Sequence, residues 1–189
     1  MNIQGFFTKQ IAKIFNVDGI LKCEENIHLT RQGISNNDFA HTHKFKGLLE
    51  TNTLMEEGDL VIVDDTPFLV MAMRKIQFLK TNQANLWLCD DVCSISSYEN
   101  AYQGNIKIGT SWVTIKENIP CVQRDTNGKV KYFDAGLLES TTKLVYMQYD
   151  SQIELGQRLS INGKNYQVDS IDTTVKNILC LQLSPDKRK

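Results

Sequence analysis

The sequence predicts a mainly β fold: two tandem small antiparallel β-barrels preceded by a short N-terminal α-helix. Three observations predict it. A block opening GLLE at Gly47 returns as GLLE at Gly136, each time followed by a glycine-led pair of apolar runs. Short runs rich in β-branched and aromatic residues alternate with turn residues along most of the chain, which is strand spacing. Asn-Gly dipeptides at Asn127 and Asn162 stand between such runs, and this dipeptide favours tight hairpins.

The elements follow in order. Residues 1–20 are expected to hold the helix, because Phe7, Ile11, Ile14 and Phe15 make an apolar stripe with Lys9 and Lys13 beside it, and Asn16 to Gly19 would end it. The first barrel unit is predicted over 21–95. It contains a short alternating run (HLTRQG), a polar loop (ISNNDFAHTHK), a strand (KFKGLLETNTL), a hairpin (DLVIVDDTPFLVMAMRKIQF) turning near Asp64 to Pro67, and a further strand (ANLWLC). A linker is expected over 96–110, within the polar, glycine-punctuated stretch SISSYENAYQGNIKIG. The second unit is predicted over 111–189, with strands IPCVQRD, KYFDAGLLES and LVYMQY, the hairpin QRLSINGKNYQVDSID, the strand NILCLQL and a charged tail.

The two units match position by position: Gly47 to Glu50 with Gly136 to Glu139, Gly58 with Gly156, Phe68 with Tyr166, Val70 with Val168, Leu86 and Leu88 with Leu181 and Leu183, and Arg31 with Arg124. Leu60 and Ile62 approach Leu159 and Ile161. Strands that bury one face each and close on themselves remove exposed edges, hence barrels rather than open sheets.

Composition narrows the function. A hydrophobic fraction of 41% and a charged fraction of 23% are ordinary for a globular chain, and the net charge of −1 gives no bulk signal for non-specific nucleic-acid binding. Five scattered cysteines suit free thiols in a reducing cytoplasm better than a disulfide framework. The N-terminus lacks the basic-then-apolar order of a secretory signal, the apolar runs are too short to span a bilayer, and no membrane partner is expected.

Motifs with chemistry are scarce. Neither phosphate-cradling glycine pattern occurs, and GxSxG is absent. His41, His43, Cys89 and Cys93 carry metal-ligating atoms, but CxxxC is looser than a zinc knuckle and the histidines lie in a polar loop, so no metal, cofactor or catalytic residue is assigned. The acidic pairs Glu56-Glu57, Asp64-Asp65 and Asp90-Asp91 adjoin turns, where carboxylates cap and solvate. Met71 and Met73 are expected to fill core, Trp87 to pack inside, and Trp112 to cement the barrels together. A single-stranded nucleic-acid groove would need aromatics among bases, for which Tyr132, Phe133 and Tyr146 near Lys129, Lys131 and Lys143 are the candidates.

In the second unit, Gly156-Gln157-Arg158-Leu159, the Asn162-Gly163 turn, Tyr166-Gln167-Val168 and Ile171 resemble the small β-barrel head-closure and head–tail connector proteins of long-tailed bacteriophages and prophages. Gly58-Asp59-Leu60-Val61, Phe68-Leu69-Val70 and Ile76 resemble them more loosely. The resemblance implies a non-enzymatic virion protein of the neck or tail region, assembled in the host cytoplasm. It would form a ring of its own copies that meets portal, adaptor and tail proteins and lets packaged DNA pass without sequence readout. Long loops are where such a barrel would make contacts. These are Ile34 to Lys44, with Asn36, Asn37, Asp38, His41 and His43, and Ser140 to Glu154, with Tyr146, Gln148, Tyr149 and Asp150.

Overall fold

The computed structural model describes residues 9–32, 44–77, 80–126 and 136–188. They form twelve strands: β1 (Gln10–Phe15), β2 (Leu21–Arg31), β3 (Lys44–Leu49), β4 (Leu60–Val63), β5 (Thr66–Ile76), β6 (Thr81–Leu88), β7 (Asp91–Gln103), β8 (Ile106–Asp125), β9 (Lys143–Gln148), β10 (Arg158–Ile161), β11 (Lys164–Asp172) and β12 (Ile178–Pro185). The first six close into one barrel in the order β1-β2-β3-β6-β5-β4. The last six close into another whose order, β7-β8-β9-β12-β11-β10, is the same topology. All pairings are antiparallel.

The barrels agree in detail. β4 passes to β5 through Asp64 and Asp65, and β10 to β11 through Asn162 and Gly163; all four residues have positive φ, as the tight hairpin turn requires. The glycine before each hairpin also has positive φ, 85° at Gly58 and 81° at Gly156. Gly58 N–H donates to the Val70 carbonyl and Gly156 N–H to the Val168 carbonyl, each at 2.8 Å. The next residue is polar and buried in both, Asp59 or Gln157, and its side-chain oxygen accepts the N–H of Glu56 or Glu154. A bulge follows Val70 in β5 and Val168 in β11.

Some equivalences conserve a contact while exchanging its parts. Gln10 Nε2 donates to Asp64 Oδ2 at 2.7 Å in the first barrel; at the same station in the second, Asn162 Nδ2 donates to Asp91 Oδ1 at 2.6 Å. Strand pairing likewise sets Gly47 beside Leu29 and Val145 beside Gln123, which makes Ile27 the counterpart of Cys121. A methyl group on Gly47 would lie 2.6 Å from Ile27 Cδ1, so one barrel packs small against large where the other packs Val145 near Cys121. Each interior is otherwise filled by alternate strand residues, Val61 and Val63 in one, Leu159 and Ile161 in the other.

Three expectations are corrected. The described residues contain no helix, and Gln10–Phe15 is a strand. Its period is two, with Ala12 and Ile14 fully buried while Ile11 and Lys13 face outward. The stripe that suggested a helix counted Ile11 as inward and passed over Ala12. Residues 96–110 are not a linker: they lie in β7, β8 and their turn, and the chain crosses between barrels at Cys89-Asp90. Finally, the second GLLE is not the counterpart of the first. Gly136 to Glu139 are turn residues ahead of β9, which is itself the equivalent of β3.

Candidate functional site

Two features stand apart from the barrel walls, the joint between barrels and a hairpin arm. At the joint, Leu69, Cys89, Val122 and Ile178 form a buried cluster with Leu60, Met71, Trp87 and Tyr146 packed on it. The Trp87 and Tyr146 rings meet edge to face with centroids 5.0 Å apart, a favoured aromatic geometry. Lys44 Nζ and Arg124 Cζ lie 5.6 and 5.8 Å from the Trp87 ring. Burial pushes the Tyr146 phenol up to about 12. Gln148 Nε2 donates across the joint to the carbonyls of Phe15, Asn16 and Gly58 at 3.4, 3.2 and 3.0 Å.

Tyr146 and Gln148, expected in a contact loop, therefore sit in strand β9 and bind the chain's own first barrel. The expected loop 140–154 is interrupted by β9 because Leu144, Val145 and Met147 are needed in the core. Tyr149 and Asp150 follow the strand and, with Gln148, Lys116, Val17 and Leu60, line a groove of about 610 Å³ beside the joint. Tyr149 is 42% exposed. Burial opposes ionisation of Asp150, but Lys116 Nζ at 2.7 Å and the Gln152 N–H at 2.9 Å outweigh it and hold the carboxyl below its usual range. Asn36, Asn37, Asp38, His41 and His43 lie outside the described residues, as do Lys129, Lys131, Tyr132 and Phe133.

The arm is the part of the β7–β8 hairpin beyond the barrel wall. Among the described residues, β7 pairs with β10 only through Ser96, and β8 pairs with β9 only from Val122. Between these limits the two strands pair with each other alone, turning at Gly104-Asn105. The β8 side carries exposed apolar residues, Ile106 at 71% and Ile108 at 61%, with Val113 and Ile115 also exposed. The base of the arm is clasped. Trp112 lies against Tyr98, ring centroids 4.8 Å apart, and under the guanidiniums of Arg158 at 3.7 Å and Arg188 at 4.8 Å. Asp186, its side chain fully buried, accepts from Arg158 Nε at 2.7 Å and Arg188 Nε at 2.9 Å.

Trp112 thus anchors the arm to the C-terminal segment, while Trp87 takes the joint. Sequence reasoning expected Trp112 between the barrels and Trp87 inside one of them. It also missed the arm, although Gly104-Asn105 followed by Ile106 and Ile108 is a hairpin signal. Of the residues weighed as metal ligands and not assigned, Cys89 and Cys93 are buried, and burial pushes the Cys89 thiol up to about 12. Among the described residues no cluster of three or more potential ligands could hold a metal ion. Compared with known proteins, the sequence matches no family model and no curated protein.

Proposed function

We propose that the chain is a non-enzymatic structural protein of a bacteriophage or prophage, acting at the head–tail joint. Copies assemble as a ring that meets portal or adaptor proteins on one side and tail proteins on the other, and retains packaged DNA. The observation that carries this reading is the arm, an ordered ribbon held off a closed barrel with apolar residues in solvent. Exposed apolar surface of this kind marks a contact surface. The hairpin in which the resemblance to connector proteins resides is β10–β11, on the same barrel as the arm.

The test is electron microscopy of an induced lysate lacking the gene. The reading expects DNA-emptied or unjoined heads beside complete free tails. Heads with no tails at all would move the role into tail building, and normal infectious particles would overturn a virion role.

A further inference from the structure

Resting on that ring, we infer that the arm joins neighbouring copies by strand addition: the free edge of β8 in one copy takes the free edge of β7 in the next copy's arm. The barrels are closed, and among the described residues the arm is the longest stretch where both strands of one hairpin lack a second paired neighbour. It holds two open edges, on opposite sides of one ribbon. A two-stranded ribbon is marginal in water by itself and gains from a third strand.

The β8 edge is built to receive one. Natural edge strands are blunted by lysine, proline or a bulge. In β8 those devices bound the arm at both ends: Lys116, Asn118 with φ +57° and Pro120 toward the barrel, and Lys107 with a bulge at Ile108 toward the tip. From Gly109 to Thr114, between that bulge and a second at Ile115, the strand carries neither charge nor proline and includes the β-branched Thr110, Val113 and Thr114.

The occupant follows from the geometry of a ring. Copies related by rotation about an axis along the arm set the neighbour's β7 parallel to this copy's β7, hence antiparallel to its β8. The added strand then continues the antiparallel order already present. The two sequences are compatible in this sense, since within each arm Tyr98 pairs with Trp112 and Asn100 with Thr110. Back-to-back pairing of two β8 edges would stop at two copies and leave both β7 edges open. Pairing β8 to the next β7 occupies every edge and closes with cyclic symmetry.

Mixed variants of the full chain, each carrying one added cysteine, test this. Glu99 pairs with Ser111 within an arm, so in a ring without axial shift Glu99 of one copy stands level with Ser111 of the next. Glu99→Cys chains are mixed with Ser111→Cys or, to cover strand stagger, Gly109→Cys or Val113→Cys chains, oxidised mildly, and analysed by intact mass, with the unmodified chain as background. The expected result is a disulfide between unlike chains, absent from each variant alone, and reduced at least tenfold by Ile108→Lys on the β8 partner. Cross-links of the β8 variants with themselves would overturn the proposal in favour of back-to-back pairing. Rings seen by electron microscopy without any arm cross-link would overturn it while leaving ring assembly standing. Absence of both rings and cross-links at millimolar chain overturns it too. Arm cross-links together with normal particles from the gene-deleted lysate would keep the strand addition and remove the virion role.

Discussion

Gly58 and Asn177 meet across the joint so closely that a methyl group on the glycine would lie 2.3 Å from Asn177 Cβ and 2.5 Å from its carbonyl oxygen. Gly58 is also held at φ +85° by the turn before β4. Its equivalent Gly156 has φ +81° but open space around it. The pair separates two effects that usually come together. Gly156→Ala carries the left-handed backbone cost alone, about 1–2 kcal/mol. Gly58→Ala adds the overlap with Asn177, so its denaturant midpoint falls further. Equal losses in the two variants would mean that the joint yields to fit the methyl.

Gln148 is the polar counterpart of that contact. Replacing it with alanine leaves carbonyls of Phe15, Asn16 and Gly58 without their donor, an expected loss of about 1–3 kcal/mol. Gln148→Glu keeps the shape but offers no proton at neutral pH and sets a carboxylate against three carbonyl oxygens. It is expected to cost more than alanine at pH 7. Urea denaturation of the three proteins gives the order, and a glutamate variant as stable as the parent would show the bonds to be incidental.

The exchange of small and large residues between barrels yields a compensation test. Gly47→Val places a branched side chain where Ile27 Cδ1 already sits, and overpacking of this kind costs about 1–3 kcal/mol. Adding Ile27→Cys reproduces the Val145 and Cys121 pairing of the second barrel and is expected to recover part of the loss. Thermal melts of the two singles and the double form the cycle.

Asp186 sets an acid limit on the arm's clasp. Burial disfavours its charge, but hydrogen bonds from Arg188 and Arg158 prevail and hold the carboxyl at about 2. A carboxyl lowered on folding contributes stability above its unfolded value, about 3.9, and that contribution is lost as pH falls through the folded value. The loss is therefore expected between about pH 4 and pH 2. Asp186→Asn should flatten the pH dependence in that window and lower stability at pH 7 by roughly 1.5–3 kcal/mol, the range for hydrogen bonds to charged groups. Near-ultraviolet circular dichroism of Trp112 follows the clasp directly. An unchanged acid profile in the variant would assign the transition to other carboxylates.

Sequence legibility tracked how local each determinant is. The turns at Asp64-Asp65 and Asn162-Gly163, and the match of Gly58 to Gly156, were readable because turn chemistry is written in adjacent residues. The first strand was misread because Ala12, small and weakly patterned, is the inward residue. The GLLE match misled because two similar strings serve different ends, one closing β3 and one preceding β9. The arm escaped because beyond its clasped base the ribbon is exposed on both faces, which removes the need to alternate polar and apolar residues, and the clasp's partners Arg158 and Arg188 are distant from Trp112 in sequence. Of the expected contact residues, Tyr146 and Gln148 went to the joint because their partners, Trp87 and the carbonyls near Phe15, are distant in sequence. Tyr149 and Asp150 remain together at the groove.

The passage at Cys89-Asp90 has a mechanical side. Cys89 N–H still donates to the Pro67 carbonyl in the first barrel, and Asp91 already pairs with Cys121 in the second. No slack chain separates them, so a pull on the arm meets no spring before it reaches the first barrel. The molecule would bear load as a strut rather than a tether, and lengthening that crossing by a few flexible residues would turn a fixed spacing into a compliant one without altering either barrel.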